Sequence, residues 1–522
     1  RRREMQRLLI GFAGLGVLLL LACAASLSAA AQHDKPNIVF ILADDMGYGD
    51  ARCYNPESKV PTPNLDKLAT QGMRFTDAHS PSSVCTPTRY AFLTGRYGWR
   101  TALKSSVLWP WDPPLLEDER VTIPEMLRAT ESQYATAAIG KWHLGWVWPS
   151  KDGKPIKETI ARISGGEQAA LARRIDFTKP IKGGPNDHGF DLYFGDDVPN
   201  FPPYTFFEND RLVAVPTQTK PKSMFGSAGP MAPGWELRRV QPTITERAIE
   251  YIKSREDRGE PFFLYMPLNI PHTPIVPNDP HIGKSEAGRY GDFIVQTDAI
   301  VGRVVQALEQ ANLADNTIVI FTSDNGSPAR DGHAEPNKDG RVKGAAPHSV
   351  TKAYGHVPNA PWRGLKGDTW EAGHRVPHIV RWPGVVKPGS VSEQVVCHTD
   401  WYATFAEIHG MKLADDQAED SFSLMPILRG IDKPIRESVI HHSAGGTFAI
   451  RKGDWKLIEG NLGSGGFSPP RMTKPKQNDP QGQLYNLRDD PKEANNLWLD
   501  EPEKVKELLT ELNAIRDAGR SR

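Results

Sequence analysis

One short segment of the chain carries the residue types best suited to chemistry. Residues 85–89 read Cys-Thr-Pro-Thr-Arg, and residues 93–96 read Leu-Thr-Gly-Arg. Proline is tolerated in a first helical turn and glycine favours a helix C-terminus, so we predict a helix that begins near Cys85 and ends at Gly95. Cys85 and Arg89 then share one face, at a helix end that attracts anions. A buried structural cysteine is the alternative.

Two buried strands are each predicted to end in oxygen ligands. Residues 37–42 and 316–322 are continuous apolar runs, which are typical of strands covered on both faces. The polar residues that follow these runs are Asp44, Asp45, Asp324 and Asn325. Oxygen ligands without a His or Cys cluster suit calcium or magnesium rather than zinc. For Asp44 and Asp45 alone, an acidic turn after a strand is the alternative.

Two further strand ends carry basic groups. Residues 136–140 lead into Lys141 and His143, and residues 261–266 lead, through a proline-rich stretch, into His272. A lone histidine beside prolines is most often structural. Ligands gather beyond the carboxyl ends of strands in open α/β sheets. Four strand ends with polar residues therefore favour one shared site.

Together these segments resemble the sulfatase family. Cys-x-Pro-x-Arg followed by Leu-Thr-Gly resembles the family signature, and residues 362–377, with Lys366, resemble its sulfate-contacting block. The resemblance implies that Cys85 is oxidised to formylglycine (3-oxoalanine) by a formylglycine-generating enzyme. It also implies a calcium ion, with magnesium less expected. The ligands it implies for that ion are Asp44, Asp45, Asp324, Asn325 and the modified Cys85.

The same resemblance implies a role for each remaining site residue. Hydrated formylglycine would attack sulfur, with Arg89 and Lys141 orienting it. Lys366 and His272 would neutralise the sulfate and protonate the leaving oxygen. His143 would act as the base that regenerates the aldehyde, and Lys141 would also contact substrate.

The order of predicted elements indicates an α/β fold. Buried strands alternate with helices, one predicted over residues 292–312 and another beginning at Thr245. We expect a large, mainly parallel sheet flanked by helices, which the resemblance identifies as alkaline-phosphatase-like. The catalytic domain is predicted over residues 32–425. A hairpin at 447–458 and a terminal helix at 504–515 predict a smaller antiparallel α+β subdomain over 426–522.

Residues 146–235 lack a regular pattern and are rich in proline, glycine and aromatic residues. Long irregular stretches in compact domains are commonly functional. We predict loops that shape a substrate cleft, with aromatic residues such as Phe201 stacking on a sugar or aryl group. Core packing is the more frequent use of such side chains.

The N-terminal residues predict export. Basic residues precede an apolar run over 8–25 and small residues to position 31, the pattern of a signal peptide over 1–31. The mature protein would be periplasmic or secreted. A lipid anchor at Cys23 and a retained signal anchor are the alternatives. Of the four cysteines, Cys53 and Cys397 would be either a disulfide pair or two free thiols.

Composition excludes some partners. Lys plus Arg and Asp plus Glu both number 63, so the net charge of zero argues against a nucleic-acid partner. Neither composition nor motif indicates an oligomeric state. The expected substrate is a sulfated carbohydrate or an aryl sulfate.

Two other functions are consistent with the metal-binding strand ends. Sulfate and phosphate esters are both tetrahedral oxyanions, so a phosphoester or phosphonate hydrolase of the same superfamily is one alternative. Plain phosphatases use Ser or Thr where this chain has Cys85, which favours the sulfatase. The other alternative is a non-catalytic glycan-binding relative. Such a relative would lack one or more site residues, and this chain has them all.

Overall fold

The computed structural model describes residues 35–332 and 344–522. The predicted signal segment and Cys23 lie outside these residues. Within them, no helix combines the length and the apolar character needed to cross a membrane.

A ten-stranded sheet forms the centre of the molecule. In spatial order its strands are β13 (Ser390–Ser392), β2 (Met73–Phe75), β12 (His378–Arg381), β11 (Thr317–Ser323), β1 (Asn37–Asp44), β10 (Phe262–Pro271), β4 (Ala135–Lys141), β5 (Leu192–Asp196), β6 (Phe207–Glu208) and β7 (Arg211–Leu212). The five strands from β11 to β5 are parallel to one another, and antiparallel strands flank them on both sides. The predicted α/β class with a mainly parallel sheet is confirmed.

Helices cover both faces of this sheet. The helices of the described chain are α1 (Pro63–Gln71), α2 (Cys85–Thr94), α3 (Ile123–Arg128), α4 (Gly165–Arg174), α5 (Leu237–Lys253), α6 (Gly288–Gln310), α7 (Ser349–Tyr354), α8 (Glu371–His374), α9 (Asp400–Ile408), α10 (Met425–Leu428) and α11 (Pro502–Asp517), of which α11 packs on the C-terminal sheet described below. Side chains of β1 alternate between two cores. Phe40 stacks on Phe92 of α2 with ring centroids 3.8 Å apart, whereas Val39 packs in the opposite core with Val301 of α6.

Helix α5 begins eight residues before the predicted start at Thr245. Pro242 lies inside it and cannot donate to the carbonyl of Arg238. That carbonyl instead accepts a hydrogen bond of 2.9 Å from Asn278 Nδ2. The tertiary contact satisfies the oxygen that proline leaves unpaired, so the helix continues through a residue that usually ends one.

The prediction of an irregular segment over residues 146–235 is partly wrong. This stretch contains α4, and it adds β5 to the parallel part of the sheet beside β4. Strand β5 is only five residues long and is flanked by loops, so its apolar run is too short to stand out in sequence. Tyr204 is buried, as core packing predicts, whereas Phe201 is buried but also lines the cavity described below.

The C-terminal part forms a second, antiparallel sheet. Its order is β15 (Ser438–His442), β16 (Phe448–Lys452), β17 (Trp455–Glu459) and β18 (Gly482–Asn486), with α11 packed against β16 and β17. The predicted hairpin and terminal helix are therefore present. Four short strands complete the strands that the structure describes: β3 (Ala78–His79) pairs with β14 (Val396–Cys397), and β8 (Gln218–Thr219) pairs with β9 (Pro230–Met231).

A buried ionic network joins this small sheet to the main body. Lys456 of β17 is fully buried, and its Nζ lies 3.0 Å from Glu371 of α8 and 2.8 Å from Glu493. Burial alone would raise the pKa of Glu371, but Lys456 and neighbouring cations hold it well below its ordinary value. His374 belongs to the same network, with Nε2 3.3 Å from Lys456 Nζ.

Of the two alternatives for Cys53 and Cys397, a disulfide or free thiols, the structure has free thiols. Cys53 and Cys397 both carry free thiols, and Cys397 is buried. Burial raises the pKa of Cys397 to about 11, so its thiol is protonated at neutral pH.

We expect Lys456→Ala to destabilise the protein by about 3–5 kcal/mol, because it removes the cation paired with buried Glu493 and one of the three cations that the described chain pairs with buried Glu371. Urea unfolding followed by circular dichroism measures this loss. Lys452→Ala is the matched control, since Lys452 lies one strand away at 34% side-chain exposure and pairs with Glu511. Its cost should be about 0–1 kcal/mol. Equal losses in the two variants would contradict the importance of the buried network.

Candidate active site

Four neighbouring strands bring the predicted site residues together. Strands β11, β1, β10 and β4 are adjacent and parallel, so their carboxyl ends lie on one edge of the sheet. Asp324 follows β11, Asp44 ends β1, His272 follows β10 and Lys141 ends β4. The residues at these ends come from segments up to 280 positions apart, yet contact one another directly.

Cys85 is the first residue of α2, as its sequence predicted. The helix ends at Gly95, whose φ of 65° is left-handed and whose N–H donates to Ala91 O. Cys85 is 2% exposed. Its Sγ accepts a hydrogen bond from Lys366 Nζ at 3.2 Å and donates to Asp44 Oδ1 at 3.6 Å. Burial, helped by Asp324, raises the pKa of this thiol to about 12.

The carboxylates beneath Cys85 are each paired with a cation. Lys141 Nζ lies 2.6 Å from Asp44 Oδ2, and Arg89 lies 3.0 Å from Asp324 Oδ2. Lys366 pairs with Asp45. Burial acts to raise the pKa of Asp44, but Lys141, His272 and Arg89 hold it well below its ordinary value. Asp44 is thus kept charged in a water-poor interior.

The oxygens of this cluster could hold a metal ion. Ligand atoms of Asp44, Asp45, Cys85 and His272 all lie within 4.8 Å of one another. Asn325 donates its Nδ2–H to Asp45 Oδ1 at 2.7 Å. Its own Oδ1 is buried and finds no hydrogen-bond partner among the described residues. An orphaned amide oxygen beside carboxylates is a donor set that suits a hard cation such as Ca²⁺.

Two site residues adopt unusual backbone conformations. Asp45 has a φ of 72° and His143 a φ of 56°, both in the left-handed region that non-glycine residues rarely enter. Asp45 directly follows β1, and His143 lies two residues after the end of β4. Such conformations persist where surrounding contacts impose them, and they concentrate at functional sites.

The two histidines differ in which nitrogen is available. His143 Nε2 lies 3.1 Å from Leu108 O and must donate to it, which leaves Nδ1 with a free lone pair, buried and unpartnered within the described part of the chain. Burial and Lys141 lower the pKa of His143 well below its usual value. His272 donates from Nδ1 to Thr273 O at 2.6 Å, so its Nε2 is the available atom. Burial lowers the pKa of His272 to about 4.

A cavity of about 420 Å³ opens above this cluster. Five predicted residues line its floor: Asp45, Cys85, His143, His272 and Lys366. Asp44, Arg89, Lys141, Asp324 and Asn325 lie fully buried beneath it. The structure therefore gathers all ten predicted residues at one place. A volume of this size is typical of small-molecule sites.

The walls of the cavity include residues that the sequence did not single out. Trp109, Phe225 and Phe467 provide apolar surface, and Arg162 and Arg330 add positive charge. Phe467 comes from the C-terminal part, where its N–H donates to Asp368 Oδ1 at 2.7 Å. Lone arginines and aromatic residues in loops carry no sequence pattern that would mark them, so only the tertiary structure reveals them.

Comparison with known proteins assigns the family. The sulfatase family model matches residues 36–411. This chain belongs to the sulfatase family. An N-acetylgalactosamine-6-O-sulfatase of Bacteroides thetaiotaomicron is 35% identical over 525 residues, which cover 96% of this chain and 97% of that protein. Arylsulfatase A of Bos taurus is 32% identical, over 93% of this chain and 87% of its own.

Solved structures agree with this assignment. A sulfatase structure from work on the metabolism of multiple glycosaminoglycans by Bacteroides thetaiotaomicron has a TM-score of 0.76 and 32% identity. The match covers 93% of this chain and all of that one. The PsFucS1 sulfatase from Pseudoalteromonas sp. shares the fold with a TM-score of 0.67 at 23% identity, over 93% of this chain and 92% of its own. The protein is thus a sulfatase enzyme of alkaline-phosphatase-like fold.

We expect Gly326→Ala to disturb the turn that carries Asp324 and Asn325. An added Cβ would lie 1.8 Å from the carbonyl oxygen of Ala372, so backbone must move. The loss of stability should be about 1–3 kcal/mol. The rate of aryl sulfate hydrolysis should fall by roughly 100-fold, because small displacements of reacting groups are costly.

Thermal unfolding and a chromogenic sulfate assay measure the two effects. Gly165→Ala, at the open start of α4 with no atom within 4 Å of the new Cβ, is the matched control. It should leave both properties unchanged. Wild-type behaviour of the Gly326 variant would show that the turn tolerates displacement.

Proposed function

We propose that this sulfatase hydrolyses sulfate monoesters of saccharides, with Cys85 converted to formylglycine and a calcium ion bound beside it. The position of Cys85 carries the proposal. Its Sγ stands at a helix N-terminus between Lys366 Nζ and Asp44 Oδ1, above a cluster of paired carboxylates. A nucleophile that attacks an anionic ester needs this combination of cations and oriented dipoles.

The properties of the unmodified thiol support its conversion. A thiol with a pKa of about 12 holds almost no thiolate at neutral pH, and thiolate is the reactive form. When formed, a hydrated formylglycine supplies two hydroxyl oxygens, one for attack on sulfur and one for the later elimination. Maturation requires a formylglycine-generating enzyme as a partner.

Lys366 and His272 are proposed to bind the scissile sulfate. Burial opposes the charge of Lys366, but Asp45 raises its pKa, so the ammonium persists at neutral pH. It faces the cavity beside position 85 and neutralises charge on the sulfate oxygens. His272 presents Nε2 to the same space, but its Nδ1–H is committed to Thr273 O, so Nε2 must take up a proton before it can act as the acid. The negative charge of the bound sulfate ester favours that protonation, and Nε2–H then hydrogen-bonds the leaving oxygen and passes its proton to it.

His143 is proposed as the base for the group at position 85. Its Nδ1 has a free lone pair because Nε2–H is committed to Leu108 O. Its lowered pKa keeps the ring neutral and able to accept a proton. Arg89 donates to Lys141 O and to Asp324, and thereby fixes the positions of both neighbours.

The calcium ligands are proposed to be Asp44, Asp45, Asp324 and Asn325, with an oxygen of the modified Cys85. The orphaned Oδ1 of Asn325 supports this assignment, because a buried amide oxygen without a partner is costly unless a cation or water binds it. A bound calcium ion supplies positive charge that polarises the sulfate.

The names of similar proteins support a saccharide substrate. Relatives 31–35% identical to this chain are N-acetylgalactosamine-6-sulfatases of Bacteroides thetaiotaomicron and of Canis lupus familiaris. We therefore propose a 6-O-sulfated N-acetylhexosamine as the first substrate to assay. The basic and apolar N-terminal residues support export to the periplasm or beyond, where such saccharides are met.

Cys85→Ala is expected to abolish turnover of aryl sulfates while leaving the fold intact, because the methyl group of alanine cannot be converted to the aldehyde. Sulfate release and circular dichroism measure the two properties. In the active wild-type protein, the peptide containing Cys85 should be about 18 Da lighter than its unmodified form.

Two results would contradict this part of the proposal. One is a purified Cys85→Ala protein that still releases sulfate at the wild-type rate. The other is an active wild-type protein that hydrolyses an aryl phosphate faster than the matching aryl sulfate, which would favour a phosphoester hydrolase.

Removal of the metal with a chelator is expected to lower the rate at least tenfold and to lower the melting temperature. A ligand present at 100 times its Kd stabilises the folded state by about 2.7 kcal/mol. Calcium should restore both properties, and magnesium should restore them less. Asp45→Asn is the matched variant and should show no calcium-dependent shift. Full activity in a protein shown to be free of metal would contradict a calcium cofactor.

A further inference from the structure

Arg330 is a cation in the active-site cavity. The proposed sulfatase reaction assigns it no role. It lines the same cavity as Lys366 and His272, at the wall rather than the floor. No carboxylate of residues 35–332 or 344–522 forms an ion pair with it. Its Nε is buried without a hydrogen-bond partner in the same part of the chain.

The surroundings of Arg330 are unfavourable for an unpaired charge. Its guanidinium carbon lies 5.8 Å from the ring centroid of Phe467. Burial is the main cause of a lowered pKa for this arginine, and the nearby charge of Arg471 adds to it, whereas Asp45 acts in the opposite direction. Arginine is nearly always paired when it is removed from water.

The backbone before Arg330 holds the side chain in this position. Ala329 has a φ of 51°, an uncommon conformation for a residue with a Cβ, and is buried. Its N–H donates to Ser327 Oγ at 3.0 Å, and its carbonyl accepts from the N–H of Val350 at 3.2 Å. These two hydrogen bonds hold the turn in place. The turn comes shortly after Asp324 and Asn325, which follow the end of β11.

We propose that Arg330 binds a second anionic group of the saccharide substrate, a carboxylate or a second sulfate. This inference rests on the proposed saccharide sulfatase function. A guanidinium matches either oxyanion with two parallel hydrogen bonds, and Phe467 beside it excludes water. The bound anion would supply the partner that residues 35–332 and 344–522 do not provide. The preferred substrate is then a saccharide that carries two negative charges, one of them at the scissile ester.

A second arginine, Arg162, lies on the same cavity wall and supports the proposal that this wall binds an anionic group. Its guanidinium carbon is 4.5 Å from the ring centroid of Trp109, and none of the described carboxylates forms an ion pair with it. Two cations at the walls of one cavity attract polyanionic saccharides. Arg162 is exposed, whereas Arg330 is partly buried, so Arg330 is the residue that makes the specific contact.

Binding measured by calorimetry in a Cys85→Ala background tests the proposal separately from turnover. Three ligands are compared: N-acetylgalactosamine 6-sulfate, the same sugar linked to a uronate, and N-acetylgalactosamine 4,6-disulfate. The doubly anionic ligands should bind more tightly than the first. Adding Arg330→Ala should lower that preference by roughly 10- to 100-fold, because hydrogen bonds to charged groups are strong. Arg330→Lys should restore part of it.

Arg429→Ala is the matched control, since Arg429 is 60% exposed and pairs with Glu407 outside the cavity. It should leave the preference unchanged. If Arg330→Ala lowers affinity for the uronate disaccharide alone, the second anionic group is a carboxylate. If it lowers affinity for the disulfate alone, that group is a second sulfate. Equal losses for all three ligands, no preference in the parent protein, or no binding of any of them would overturn the role of Arg330. Failure of the sulfatase proposal would appear instead as wild-type protein that releases no sulfate.

Discussion

The structure depends on holding several carboxylates together in an interior that excludes water. Asp44, Asp45 and Asp324 converge at the ends of two adjacent parallel strands, where like charges repel strongly and hydration is lost. Burial and Asp44 accordingly raise the pKa of Asp324 to about 7. The cations Arg89, Lys141 and Lys366 offset this repulsion, and each comes from a different segment of the chain.

That constraint explains why so many segments meet at one edge of the sheet. The cations must approach the carboxylates to within hydrogen-bond distance, so α2, β4 and the loop before α8 are all fixed relative to β1. The loop that carries Lys366 is fixed from both sides. Asp368 accepts the N–H of Leu365 at 2.8 Å and that of Phe467 at 2.7 Å. The small C-terminal sheet thereby contributes both to stability and to the cavity wall.

The cavity separates into a floor and walls with different physical tasks. The floor is charged, crowded and held in strained backbone at Asp45 and His143. The walls are aromatic and carry arginines that the described chain leaves without carboxylate partners. The charged floor is suited to the reaction that members of the family share. The walls come from loops and from the C-terminal part, and they are suited to selecting one substrate over another.

The sequence predicted the α/β class and, with its resemblance to the sulfatase family, the ten residues that the structure brings together. Strands β1, β11 and β10 contain short apolar runs, and the polar residues that follow parallel strands must share an edge of the sheet. It could not show that β5 joins the sheet, that α5 continues through Pro242, or that Arg330 faces the cavity. These depend on contacts between distant segments, such as Asn278 Nδ2 with Arg238 O. Local sequence patterns specify the secondary structure that a segment prefers. Only tertiary packing decides which unpaired polar group finds a hydrogen-bond partner within the chain and which is left for a ligand.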